Sequence, residues 1–375
     1  MAGQLERRTF LAASAARLAQ GAPVELRAAI VGVGIRGSEL LRQLMRQENV
    51  KVAAVCDIDA QARDRALAAA GRDAPKAFTD YRQVLEGSDV DAVIIATPCD
   101  LHAEMAAACL EAGKHVYCEK PLGITPEQVD RVLKAARRSS AVFQIGQQLR
   151  YFPTMREAIR RLQEERVAGE IFAVKAQRHS TPVAPGKQRP RPEWYLDVKR
   201  SGDLIVENAV HNLDACNWIV GGHPLAACGE GGTYLPRRMP AGGAMMDGFS
   251  VQYSYENGVH VVYSQYVFHP RGLSRLPNGQ WYCIFGERGA VWLTHDDAYL
   301  YRMHESGEPL ALLPDWVKKA EENAMEEFFA AIRERRKPFA GLEVAATAAL
   351  TAILGREAIY RKRQVEWKEL GVSIA

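Results

Sequence analysis

From residue 27 to about 150 the chain alternates short, mainly apolar runs with segments whose apolar positions recur every three to four residues. The apolar runs are 27–33, 50–57, 91–98, 114–118 and 141–146; the amphipathic segments are 36–47, 60–71, 101–112 and 125–139. A strand apolar on both faces belongs inside a parallel sheet covered by helices on both sides. The rhythm therefore predicts a doubly wound parallel sheet over residues 27–150. The pattern then changes. A helix is expected over 153–167, a long strand over 170–179, an exposed Pro-, Arg- and Lys-rich loop over 181–193, and a helix opening at Ser201-Gly202-Asp203 and running to about 220. From 224 to 303 the chain reads as strand. Val251, Tyr253 and Tyr255 alternate with polar residues, and Glu256-Asn257-Gly258 makes a hairpin turn. Helices 316–335 and 343–360 close the chain. Residues 151–375 are thus expected to form a second α/β domain with a large, mostly antiparallel open sheet and helices on one of its faces.

Composition adds limits. At 375 residues the chain is long for one domain. With 47% hydrophobic and 25% charged residues it is an ordinary globular protein. A net charge of +3 gives no reason to expect nucleic acid or a membrane surface as partner. Seven scattered cysteines with no C-x-x-C pair fit reduced thiols, not a disulfide framework or a zinc site. Residues 1–26 read as a leader-like extension. Arg7-Arg8-Thr9-Phe10-Leu11 resembles a twin-arginine export signal, but Arg17 interrupts the apolar stretch. A cytoplasmic location is the leading expectation, and periplasmic export the alternative.

Gly32, Gly34 and Gly37 stand at G-x-G-x-x-G spacing between the first strand and the first helix. The first glycine allows a tight turn, the second lets a pyrophosphate approach, and the third lets helix pack on strand. The helix N-terminus then faces the phosphate charge. Asp57 ends the second strand about 20 residues on, where a carboxylate can accept both ribose hydroxyls of an adenosine. A 2′-phosphate there would meet a negative charge, so NAD is expected over NADP, unless Arg63 swings toward the ribose.

Two constellations carry chemistry. Cys118-Glu119-Lys120-Pro121 ends a parallel strand, the end at which open α/β sheets bind ligands, and so places Lys120 where nicotinamide and substrate would meet. Glu207, His211 and Asp214 share one face if residues 201–220 form a continuous helix. Together they could form an acid–base site, bind a metal, or simply be a polar helix end with a satisfied histidine. No second ligand cluster accompanies them, so no metal is expected.

The run Gly32-Val33-Gly34-Ile35-Arg36-Gly37, then Ala96-Thr97-Pro98 with His102, then Gly113 through Pro121, then Gly202 through Asp214, resembles the Gfo/Idh/MocA oxidoreductases. The resemblance covers roughly residues 27–365. It implies a Rossmann domain followed by an α/β domain with a large open sheet, through which copies pair as homodimers or homotetramers. It implies cofactor contacts at Gly32, Gly34, Ile35, Arg36, Gly37, Asp57, Thr97, Pro98, His102, Glu119 and Lys120. Lys120 becomes the lysine that hydrogen-bonds the reacting hydroxyl, and His211 the acid/base histidine. Glu207 stands where the family usually has Asp, and Ala209 where a Gly is common. Arg150 and Tyr151, Gln177, Trp194, Tyr195 and Asp214 are the substrate-lining candidates. Aromatic rings offer apolar area to the C–H face of a sugar, and Gln177 and His179 lie on a strand that could face the nicotinamide.

The function implied is NAD-dependent hydride transfer to or from a secondary hydroxyl of a sugar, glycoside or cyclitol. The alternative is a redox-neutral glycoside hydrolase or lyase that oxidises its sugar transiently. A nucleotide-sensing protein on the same fold is a third class, but it has no need of Lys120 and His211.

Overall fold

The computed structural model describes residues 25–87, 89–182, 191–235, 242–273, 275–317 and 324–374. Arg7, Arg8 and most of the Pro/Arg-rich loop lie outside these residues. Strands β1 (Leu26–Val31), β2 (Val50–Cys56), β3 (Lys76–Phe78), β4 (Ala92–Ile95), β5 (His115–Cys118) and β6 (Phe143–Ile145) form a parallel sheet in the order β3-β2-β1-β4-β5-β6. Helices α1 (Ile35–Leu44), α2 (Ala60–Ala69), α3 (Tyr81–Gly87), α4 (Cys99–Glu111) and α5 (Pro126–Arg137) connect them. This is the doubly wound order, and the direction of winding reverses between β1 and β4. The central strands are buried throughout; Ala28, Ile30, Ala92 and Ile94 are among the fully covered residues. β3 and α3 are missing from the sequence reading, because a three-residue, mostly exposed strand leaves no apolar run.

Past α6 (Pro153–Gln163) comes β7 (Ile171–His179), then four helical pieces: α7 (Glu193–Leu196), α8 (Val198–Ser201), α9 (Leu204–Glu207) and α10 (Val210–Val220). The expected continuous helix over 201–220 is therefore broken. Gly202 and Asp203, both with φ near +78°, separate α8 from α9, and the interruption between α9 and α10 falls at Asn208 and Ala209, whose backbone stays right-handed. Asp203 then caps α9: its Oδ1 accepts the Leu204 N–H at 2.7 Å and the Met246 N–H at 2.7 Å, and Tyr360 donates to Oδ2 at 2.6 Å. These bonds offset the cost of the left-handed backbone.

The second sheet adds β8 (Pro224–Gly232), β9 (Gly248–Tyr255), β10 (His260–Tyr266), β11 (Gly279–Gly286), β12 (Gly289–Leu293), β13 (Ala298–Arg302), β14 (Leu310–Ala311) and β15 (Val365–Glu366). Its order is β14-β13-β12-β11-β7-β10-β9-β8-β15, antiparallel except where β7 pairs with β10. Residues alternate strictly on the inner strands. Val251, Tyr253, Val261, Tyr263, Tyr282 and Ile284 are buried under helices, whereas Gln252 and Val262 face outward. α10 and the long α12 (Leu342–Arg361), which follows α11 (Ala324–Glu334), supply the covering layer. α12 also packs against α5 and β6 of the first sheet. Among the described residues no helix is long and apolar enough to cross a membrane, and all seven cysteines are free.

Candidate active site

The glycine turn is built as a cradle. Gly32 has φ +85°, and a Cβ there would stand 2.6 Å from the Ala96 carbonyl oxygen; a Cβ on Gly37 would stand 1.9 Å from the Gly32 oxygen. A Cβ on Gly34 would meet nothing within 4 Å. Gly34 is also the N-cap of α1, with no side-chain cap and no acidic residue in the first turn. The α1 dipole and its free N–H groups thus open onto empty space, which suits a pyrophosphate. Gly34→Ala is expected to leave the melting temperature nearly unchanged and to weaken NAD binding about tenfold, ~1.4 kcal/mol. Gly37→Ala is expected to destabilise the fold itself by ~2–3 kcal/mol. NAD titration and thermal melting of the two variants check both.

Asp57 closes the cradle's far side. Its Oδ2 accepts the Val33 N–H at 2.7 Å and its Oδ1 the Asp59 N–H at 2.8 Å, while Arg63 donates to the Asp57 backbone oxygen at 2.7 Å. Arg63 is therefore held by the main chain. Ile35 (75% exposed) and Ile58 (89% exposed) flank the opening.

Among the other proposed cofactor contacts, Arg36 and His102 are engaged by the protein's own groups. Arg36 does not stand free: its Nε pairs with Glu119 Oε1 at 2.8 Å and its Nη1 with Glu39 at 3.1 Å. His102 is buried, with Nδ1 2.8 Å from the Pro121 oxygen and Nε2 2.8 Å from the Thr97 oxygen. Burial holds its pKa below the usual histidine value. It staples the Thr97-Pro98 turn to the Lys120-Pro121 segment, whose peptide bond is cis, and has no ring nitrogen left for a ligand. Thr97 and Pro98 stay half-buried at the end of β4, beside the glycine turn.

Lys120, just past β5, reaches into the other domain. Its Nζ donates to the Glu207 backbone oxygen at 2.5 Å and to Glu207 Oε1 at 2.8 Å. Burial works against the ammonium, but the Glu207 carboxylate outweighs it and the Lys120 pKa rises. Burial likewise works against the Glu207 carboxylate, and Lys120 reverses it, so the Glu207 pKa falls. The pair is ionised. The rest of the buried Glu207 carboxylate lies against the Tyr195 and Asn208 side chains.

His211, in the first turn of α10, has Nδ1 2.8 Å from Gln147 Oε1. An amide oxygen only accepts, so Nδ1 carries the proton and Nε2 is left as the base. Burial pushes the His211 pKa well down, and the positive charges of Lys120, Arg178 and Arg36 push it further. The ring is neutral at physiological pH.

Glu207, His211 and Asp214 do not bond to one another; each turns to a different partner. Asp214 makes a buried bidentate pair with Arg150, at 2.8 and 2.9 Å, and Arg150 lies 5.0 Å over the Trp218 ring. Arg150 and Asp214 thus satisfy each other instead of presenting free groups to a substrate. Tyr151 is 1% exposed and its hydroxyl accepts the Ala340 N–H at 3.3 Å, so it belongs to the core. Trp194 and Tyr195 are half-buried and meet edge to face at 5.8 Å. Tyr195 lies beside Glu207; burial first, then that carboxylate, pushes its pKa to about 12.

Gln177 and His179 point away from His211. On β7, Val174 and Ala176 are buried on the face that packs against α10. Gln177 and His179 therefore lie on the opposite, open face. There Gln177 donates to the Pro277 oxygen at 2.6 Å, and His179 Nε2 pairs with Ser264 at 2.9 Å while its ring stacks on Tyr266. Burial lowers the His179 pKa to about 4. Arg178, between them, is on the His211 side.

Sequence reasoning missed Gln147 and Arg178. Gln147 follows the carboxyl end of β6, where ligands of such sheets gather. Arg178 follows from counting by twos from Val174 and Ala176.

Comparison with known proteins agrees with this architecture. Residues 26–147 match the family model described as "Oxidoreductase family, NAD-binding Rossmann fold", and residues 156–292 match the "GFO/IDH/MocA C-terminal domain". Inositol 2-dehydrogenase of Salmonella typhimurium is 32% identical over 199 residues, 52% of this chain and 54% of that one. A glycosyl hydrolase family 109 protein of Stenotrophomonas maltophilia is 34% identical over 190 residues, 46% of this chain and 42% of that one. The chain thus spans about half the length of these curated relatives. A solved levoglucosan dehydrogenase, in complex with NADH and levoglucosan, superposes with a TM-score of 0.75 at 19% identity, over 91% of this chain and 99% of that one; the likeness is one of fold. With a doubly wound cofactor domain, an open-sheet second domain and both family models matched over most of the chain, the protein belongs to the Gfo/Idh/MocA family of oxidoreductases.

Proposed function

We propose that the protein transfers a hydride between NAD and a secondary hydroxyl of a sugar, glycoside or cyclitol. The observation that carries this is the meeting of a charged Lys120 with a neutral His211, whose Nδ1–H is held by Gln147, at the carboxyl end of the cofactor sheet. The cradle at Gly32, Gly34 and Gly37, the α1 N-terminus and Asp57 would hold the dinucleotide. Bound NAD supplies the hydride acceptor. His211 Nε2 takes the hydroxyl proton as the C–H bond breaks, leaving a ketone, and returns it in the reverse direction. Lys120 stabilises the developing alkoxide. Glu207 holds Lys120 in place. Trp194 and Tyr195 are positioned to cover a sugar face. Residues 27–150 act as the cofactor domain and 151–375 as the substrate domain. The open sheet face, where Phe285, Tyr301 and Val262 are exposed and Trp281 stacks on Trp292 at 4.7 Å, is the surface through which copies would pair.

The test is a panel of sugars, cyclitols and glycosides with NAD, followed by NADH absorbance. Accumulating NADH supports the proposal. Glycoside cleavage without net NADH supports the transient-oxidation reading, which the family 109 relative favours. Neither outcome across the panel, with NAD bound, overturns both. In the same preparation NAD is expected to raise the melting temperature more than NADP. Asp57 faces the 2′ position, and a phosphate there should weaken binding about tenfold, ~1.4 kcal/mol.

A further inference from the structure

Among the described residues, three of the cations at the cleft are matched by carboxylates. Lys120 is matched by Glu207, Arg36 by Glu119 and Arg150 by Asp214. Arg178 is half-buried and, among the described residues, makes no ion pair and no side-chain hydrogen bond. It stands at the carboxyl end of β7, on the face that packs against the helix carrying His211. Its charge is felt by His211, His295, Tyr263 and Tyr282. The two tyrosines are already engaged: Tyr263 donates to Gln265 at 2.8 Å, and the Tyr282 hydroxyl accepts from Asn212 at 3.0 Å and Gln280 at 2.9 Å. His295, from the turn between β12 and β13, adds a buried Nε2 without a partner.

A guanidinium drawn partly out of water with no counter-ion is costly, and an arriving anion offsets that cost. Its planar fork matches a carboxylate in a bidentate arrangement. The dinucleotide's phosphates belong at the α1 N-terminus on the other sheet, so the missing anion is the substrate's own. A single guanidinium fork matches the one charge and two oxygens of a carboxylate, whereas a phosphate ester carries nearly two charges at neutral pH.

We propose that the substrate is a polyhydroxylated carboxylate, a sugar or cyclitol acid, whose carboxylate pairs with Arg178 while a hydroxyl faces His211 and Lys120. The proposal rests on the oxidoreductase reading for its position in the reaction, but the binding it asserts stands apart from turnover. The cleft thus reads a hydroxyl at one end and an acid at the other.

The test compares glucuronate with glucose and galacturonate with galactose, using the full chain with NAD. The wild type is expected to favour the acid by about 100-fold in kcat/KM, ~2.7 kcal/mol. Arg178→Gln is expected to cost the acid about 100-fold more than the neutral sugar, chiefly in KM, and Arg178→Lys to restore part of it. Equal preference in the wild type, or equal losses for acid and neutral sugar in Arg178→Gln, would overturn the proposal and leave Arg178 acting only on His211. If no compound yields NADH, the hydride-transfer reading is what has failed. Thermal stabilisation of the NADH-loaded protein by the same acids then decides the matter. Stabilisation of the wild type but not of Arg178→Gln supports the carboxylate site. Stabilisation of both, of neither, or more strongly by glucose 6-phosphate than by the acids overturns it.

Discussion

His211→Ala binds NAD as the wild type does and turns substrate over on the order of 10³-fold more slowly; this is the expected result. The ring's hydrogen bond is to Gln147 and not to the glycine turn, so a titration of NAD should be unchanged. What goes is the Nε2 lone pair, the base that Gln147 creates by taking the Nδ1–H. Loss of NAD binding with turnover intact would sink the assignment. The pH profile gives a second check. Because burial and three neighbouring cations hold the His211 pKa well below 6.5, the base is already neutral at pH 6.5. The acid limb of kcat/KM should lie below that value, and activity should be flat from there through neutrality. Gln147→Glu would place a carboxylate on Nδ1, favour the imidazolium and carry the acid limb upward.

Lys120→Met is expected to lose turnover by about 10²–10³-fold, as an oxyanion donor does. It is also expected to destabilise the fold at neutral pH by ~3 kcal/mol, because a buried Glu207 carboxylate then lacks its partner. The pH dependence has a definite sign. In the wild type the folded pKa of Glu207 lies below its ordinary 4.5. The pair's contribution is therefore full above 4.5 and is lost as pH falls through the folded value. In Lys120→Met the unpaired carboxylate titrates above 4.5, so the penalty is present at neutral pH and shrinks on acidification. Adding Glu207→Gln should restore the melting temperature at neutral pH but not the activity. A melting temperature in Lys120→Met equal to wild type at pH 7 would show that the pair contributes nothing.

The cofactor half was legible because its signals are local. Glycine spacing sets a turn, and apolar runs of four to seven residues set buried strands, whatever lies elsewhere in the chain. The second half was legible in kind for the same reason, through the alternation at Val251, Tyr253 and Tyr255. What the sequence hid was partnership. Glu207 and His211 are four apart, yet Glu207 turns to a lysine 87 positions back and His211 to a glutamine 64 back. No periodicity encodes such a choice. A helix does open after Gly202-Asp203, but the left-handed backbone there is stabilised by the Met246 N–H and the Tyr360 hydroxyl, both distant in sequence. Gln177 and His179 lie on the face of β7 opposite Arg178, and which face a strand turns to a helix is set by tertiary packing.

The Lys120 ammonium is gripped by a backbone carbonyl and a carboxylate that both belong to Glu207. Chimeras between relatives therefore inherit a compatibility rule. A cofactor half spliced onto a foreign substrate half keeps its lysine but gives up the clamp, unless the donor brings an acid of the same reach at that place. Glutamate here instead of the family's usual aspartate makes the rule stricter, since an aspartate is one methylene shorter. Recombination between close relatives should preserve the match, and recombination between distant ones should yield folded hybrids that bind NAD but whose lysine swings loose.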